Sequence, residues 1–133
     1  MVSISNSNVP DLRLVETVAA ALFTRPDLIE KDWQITRALG VLARFDHGAA
    51  APAFGGGTSL SKGWGLIKRF SEDIDFKVAM PVAASWTKAR NERSEYRERI
   101  LAALTEAGFT LEGKPMKRDE SQFFSADLAY PSL

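Results

Sequence analysis

The chain has 133 residues, of which 45% are hydrophobic and 26% charged. That suits one globular domain with a modest core and excludes collagen-like and compositionally disordered classes. Lys plus Arg is 17 and Asp plus Glu is 17, which excludes a strongly basic nucleic-acid coat but leaves room for a local basic patch.

There is no cysteine and one histidine, His47. Disulfides, thiolate nucleophiles and cysteine-based metal sites are therefore excluded. A metal would be held by oxygen, which favours magnesium-like ions over zinc. No segment reaches the roughly 18 apolar residues of a membrane span. Residues 1–10 lack the basic start and apolar stretch of a secretory signal. The expectation is a cytoplasmic protein with no membrane partner.

Residues 1–10, rich in Ser and Asn, read as a flexible lead-in, and residues 11–133 as a single domain. From Asp11 the pattern is helical, with Leu12, Val15, Ala19 and Leu22 on one face. Pro26 opens a second helix that runs to about Phe45, with Asp27 and Glu30 complementing its positive end. Leu28, Ile35, Leu39 and Leu42 form its stripe, widened by Ile29 and Trp33. His47 reads as a surface cap at the end of that helix. A short buried strand is expected over Ala51–Phe54, running into Gly55-Gly56-Gly57. A helix follows from Thr58 or Ser59. Residues 73–78 alternate polar and apolar, as a strand with Asp73, Asp75 and Lys77 on one face. Residues 85–107 form a long helix with Tyr96, Ile100, Leu104 and Ala107 inward and Gly108 as its stop. Two more strands, Phe109–Leu111 and Gln122–Tyr130, are joined by a basic turn over Glu112–Arg118. The order predicts an α/β (α+β) fold, a mixed β-sheet with helices packed against it. Trp33, Trp64 and Trp86 are expected in or near the core.

Two features carry chemistry. Consecutive glycines let the backbone turn sharply and approach a ligand. A glycine turn that feeds a helix N-terminus, as Gly56-Gly57-Thr58-Ser59 would, offers N–H groups to a phosphate. It is neither a Walker A loop nor a dinucleotide fingerprint. In the second feature, Asp73 and Asp75 share one strand face, with Cα atoms ~6.5 Å apart. Two such carboxylates repel unless a cation lies between them, and magnesium suits hard oxygen ligands. About 16 residues separate the two features, with Lys62, Arg69 and Ser71 between them. One short helix fits that gap, so the turn can grip a triphosphate while the aspartates hold its metal, the arrangement of phosphoryl and nucleotidyl transfer.

The run Gly55-Gly56-Gly57-Thr58-Ser59-Leu60-Ser61-Lys62, with Arg69-Phe70-Ser71-Glu72-Asp73-Ile74-Asp75-Phe76, resembles the signature of the AbiEii/AbiGii toxin family. These are nucleotidyltransferases of the DNA polymerase β-like superfamily. Ile29-Glu30-Lys31-Asp32-Trp33 resembles the helix before that signature, and Tyr130-Pro131-Ser132 matches more loosely. The resemblance implies a nucleotidyltransferase core, a nucleoside triphosphate with magnesium, an acceptor such as tRNA, and a cognate antitoxin in a bacterial toxin–antitoxin or abortive-infection system. By position it assigns Gly56, Gly57, Thr58 and Ser59 to the phosphate-gripping turn. It assigns Asp73 and Asp75 to catalysis and metal binding, and Lys62, Arg69 and Ser71 to nucleotide binding. Family members run to about twice this length and draw further carboxylate and lysine groups from their later half, so the chain reads as the N-terminal part.

Two other readings share these residues. One is a truncated, catalytically incomplete module that binds nucleotide or an antitoxin. The other is a small-molecule nucleotidyltransferase of the antibiotic-modifying type. The basic residues of helix 88–99, with Lys114, Lys117 and Arg118, would guide an RNA backbone if they met on one surface.

Overall fold

The computed structural model describes residues 8–55, 74–118 and 123–133. Their elements are α1 (Leu12–Ala21), α2 (Pro26–Arg44), β1 (Ala51–Gly55), β2 (Asp75–Ala79), α3 (Trp86–Glu106), β3 (Thr110–Arg118) and β4 (Phe123–Ala129). The strands pair as two two-stranded antiparallel sheets, β1 with β2 and β3 with β4. The fold class is α+β, as expected from the order of elements. The helix expected from Thr58 lies outside the described residues, as does Trp64.

The three helices start where local chemistry satisfies their free N–H groups. The Asp11 side chain accepts from the Leu14 amide at 3.0 Å, and Ser85 Oγ accepts from the Lys88 amide at 3.1 Å. Pro26 opens α2 at a position whose missing N–H costs nothing. Gly108, at φ +101°, ends α3 in the left-handed region. At the end of α1 a phenylalanine takes that role: Phe23 has φ 53°, and the Thr24 amide reaches back to the Ala19 carbonyl at 3.0 Å.

One core joins α2, α3 and the sheets. Ala38 and Leu42 of α2 meet Tyr96, Ile100 and Leu104 of α3 and the following Phe109, with Phe76, Val78 and Leu128 packed on them from β2 and β4. A smaller cluster, Val15, Ala19 and Ile29, fixes α1 on α2. Leu12 and Leu22, expected on that face, stay about half exposed because so short a helix reaches α2 through its middle turns.

Arg37 joins three segments. Its Nε donates to Gln34 Oε1 at 2.9 Å, and its Nη1 donates to Asn8 Oδ1 at 3.3 Å and to the Ala107 carbonyl. Its guanidinium carbon lies 4.0 Å from the Phe109 ring centroid. A cation here also suits the negative end of α3. Gln34, fully buried, donates to the Asn8 carbonyl at 2.8 Å. The last residues of the polar lead-in, Asn8 to Pro10, are thereby held on α2, with Pro10 buried.

Four expectations change. Residues 112–118 are not a turn: β3 continues through them and pairs with β4. Gly113, at φ +65°, and Pro115 read as turn residues, but they belong to a register shift between Glu112 and Met116. Strand β1 is not buried, since Ala51 and Ala53 are exposed. Pro52 suits an open strand, because it lacks a ladder donor. Trp86, first in α3, is 61% exposed rather than near the core. Two of the basic residues of α3, read above as a guide for an RNA backbone if they met Lys114, Lys117 and Arg118 on one surface, are engaged within the fold. Arg97 is buried over Phe124, while Arg99 donates to the Asp46 carbonyl.

Candidate functional site

β2 alternates as its sequence predicts, with Asp75 and Lys77 exposed and Phe76 and Val78 half buried. The apolar face joins the core, which leaves the polar face to solvent. In the ladder, Gly55 is the direct partner of Asp75, and Ala51 is the partner of Ala79. The chain therefore leaves β1 and enters β2 at the same end of the sheet. Directly opposed residues in such a pair have Cα atoms ~5 Å apart. The segment that carries the expected site is thus closed at its base by Gly55 and Asp75.

Of the residues named for the site, Asp75 is described. Gly56, Gly57, Thr58, Ser59, Lys62, Arg69, Ser71 and Asp73 lie outside the described residues. Asp75 is exposed, and its carboxylate has no hydrogen bond or ion pair among the described residues. Among the described residues, its oxygens are open to accept from a ligand or to face a cation. Among the described residues no three His, Asp or Glu side chains gather into a metal cluster.

The other end of the β1–β2 pair borders a hollow of about 190 Å³ between His47, Ala50, Met80, Tyr96 and Arg99. His47 is half buried there rather than on the surface. It does cap α2, because Nε2 lies 2.7 Å from the Leu42 carbonyl. A carbonyl only accepts, so Nε2 carries the hydrogen. In the neutral ring Nδ1 then accepts from the Tyr96 hydroxyl at 2.5 Å. Both ring nitrogens are used structurally, and neither is left for proton transfer.

Buried polar anchors hold the frame around these sheets. Glu30, 5% exposed, accepts from the Leu133 amide at 2.8 Å and from Ser132 Oγ at 3.5 Å. Burial, then the nearby Glu30 and Asp27 charges, push the Tyr130 phenol above its usual pKa. The sequence gives no signal for the Glu30 contact, which joins residues more than 100 positions apart.

Comparison with protein families matches residues 37–133 to the family described as nucleotidyl transferase AbiEii toxin, type IV TA system. That span contains both sheets, α3, and the whole segment between β1 and β2. No curated protein matches the chain, and neither does any solved structure.

Proposed function

The chain belongs to the AbiEii nucleotidyl transferase toxin family of type IV toxin–antitoxin systems, and from that premise we propose that it transfers a nucleotide from a nucleoside triphosphate to an RNA acceptor, tRNA in particular. An acceptor hydroxyl oxygen bonds to the α-phosphorus and loses its proton to water. The bond from that phosphorus to the bridging oxygen breaks, and pyrophosphate leaves.

Each named residue has a part in this reading. Backbone N–H groups of Gly56, Gly57, Thr58 and Ser59 hold the triphosphate. Lys62 and Arg69 offset its charge, and Ser71 helps position it. Asp73 and Asp75 hold magnesium, and the exposed, unengaged carboxylate of Asp75 fits that use. A magnesium ion held by these two carboxylates would supply the positive charge that offsets the phosphate oxygens. The cellular setting is a bacterial cytoplasm with a cognate antitoxin.

The observation that carries the reading is the pairing of Gly55 with Asp75. It supports a site in which the glycine run and the aspartate pair flank one phosphate. The test is transfer of α-labelled nucleoside triphosphate to total tRNA in magnesium, with Asp73→Ala and Asp75→Ala variants beside the parent chain. Label on RNA that both variants lose supports the reading. Label that persists in the variants overturns the assignment of the aspartates. Nucleotide binding without any transfer identifies a catalytically incomplete module instead.

A further inference from the structure

One face of α2 carries Trp33, Thr36, Arg37, Gly40 and Arg44, at steps of three, four and seven residues. Together they line a hollow of about 270 Å³. Two arginines and a tryptophan line it, and among the described residues no carboxylate does.

Among the described residues no carboxylate neutralises the charge in this hollow. Every acceptor that Arg37 uses is an amide or carbonyl oxygen, from Gln34, Asn8 and Ala107. Its Nη2 is buried with no acceptor. Arg44 is exposed and forms no ion pair among the described residues. Buried or half-buried cations without counter-charges are costly to a fold, and an anionic ligand offsets that cost.

The hollow's shape follows from a glycine. Gly40 is inside α2, where glycine weakens a helix relative to alanine. A Cβ at Gly40 would come within 3.2 Å of Arg44 Nη1. The missing side chain lets Arg44 lie back over the helix and keeps the floor open. The Trp33 ring stands at the other end, with the Arg37 guanidinium carbon 6.0 Å from its centroid.

We infer that this face of α2 binds a nucleotide unit of RNA, with a phosphate between Arg37 and Arg44 and an unstacked base against Trp33. Arginine neutralises phosphate, and aromatic rings take bases by stacking without regard to sequence. A hollow of about 270 Å³ sits just below the ~300 Å³ lower limit of small-molecule pockets, which suits one nucleotide rather than a large cofactor. Zero net charge overall makes the local patch decisive. The inference rests on the RNA-acceptor reading above and gives that acceptor a place to dock.

The test is fluorescence anisotropy of a labelled single-stranded RNA oligomer titrated with the full chain, its Arg44→Glu and Gly40→Leu variants, and Arg13→Glu as a charge-matched control on α1. Circular dichroism confirms that each variant folds. Arg44→Glu and Gly40→Leu should each weaken binding about tenfold or more, and Arg13→Glu should not. Resistance of the bound RNA to displacement by excess adenosine triphosphate supports the RNA site, and displacement assigns the hollow to a free nucleotide and overturns it. Equal binding by all variants, or equal weakening by Arg13→Glu, overturns it. The titration itself contains neither nucleoside triphosphate nor magnesium, so its outcome does not depend on nucleotide transfer, and failure at α2 is distinguishable from failure of the transfer reading.

Discussion

Asp75 lies directly across the β1–β2 ladder from Gly55, so the first residue of one strand and the last residue of the other close a single end of the sheet. The side chain of Asp75 is exposed and carries no structural hydrogen bond among the described residues. Asp75→Asn should therefore leave the unfolding free energy, from urea titration, within about 0.5 kcal/mol of the parent, as for surface changes away from structural contacts. On the proposed role of Asp75 as a metal ligand, nucleotide transfer should fall at least about a hundredfold. A large loss of stability would show instead that Asp75 is part of the frame.

Arg37 and Arg97 are both arginines held in the interior over aromatic rings, and they should behave oppositely. Arg37 binds three partners from three segments. Arg37→Met should cost about 2–3 kcal/mol in urea unfolding, since Asn8, Gln34 and the Ala107 carbonyl lose their donor. Arg97 is 6% exposed, stacks 5.0 Å over Phe124, and has an Nη1 without an acceptor. Arg97→Met should be neutral or stabilising, because replacing a buried charge with an apolar chain of similar volume removes a desolvation cost. Equal losses in both variants would contradict this division.

Gly108→Ala should destabilise for two separable reasons. Its φ of +101° lies in the region that side chains avoid, and a Cβ there would collide with Asn8 Nδ2. In an Asn8→Ala background, which already lacks both the clash and the Arg37 hydrogen bond, Gly108→Ala leaves only the backbone strain. Against Asn8→Ala alone it should recover part of the roughly 1–3 kcal/mol lost in the parent chain. No recovery would mean that strain alone sets the cost.

Both tyrosines bear on alkaline stability. Burial holds the Tyr96 phenol above its usual value, partly opposed by the Arg99 charge. Burial, then Glu30 and Asp27, raise Tyr130. A raised folded-state value means the folded chain keeps its proton where the unfolded chain, near pH 10, loses it. The contribution is complete below about pH 10 and is lost as pH rises through the folded values. The urea midpoint should fall above about pH 10, and Tyr130→Phe should fall less steeply. An unchanged slope in Tyr130→Phe would contradict the shift.

The helices were legible because their ends carry explicit chemistry. Asp11, Pro26, Ser85 and Gly108 each mark an end that the structure confirms to within a residue or two. The alternation over 75–78 likewise predicts which face of β2 is buried. β3 was misread because Gly113 and Pro115 are turn formers in isolation, and only the pairing with β4 turns them into a bulge. Trp86 illustrates a different limit: hydrophobicity predicts burial on average, while its place at the first turn of α3 leaves it exposed. Arg37 and Glu30 gave no local signal, since their partners are distant in sequence. The glycine run and the aspartates stand out in the sequence because phosphoryl-transfer chemistry uses those residue types at that spacing, and of the residues assigned to that site the described one is Asp75. The Trp33–Arg44 face has a helical spacing too, but its meaning depends on which counter-charges the fold withholds.

The most direct measurement is calorimetric titration of the chain with each nucleoside triphosphate in magnesium, beside an Asp73→Ala, Asp75→Ala double variant. Magnesium-dependent binding that the double variant loses is the predicted result. Binding of equal strength in the double variant, or none by the folded parent chain, would contradict a nucleotide site at the Gly55–Asp75 end of the sheet.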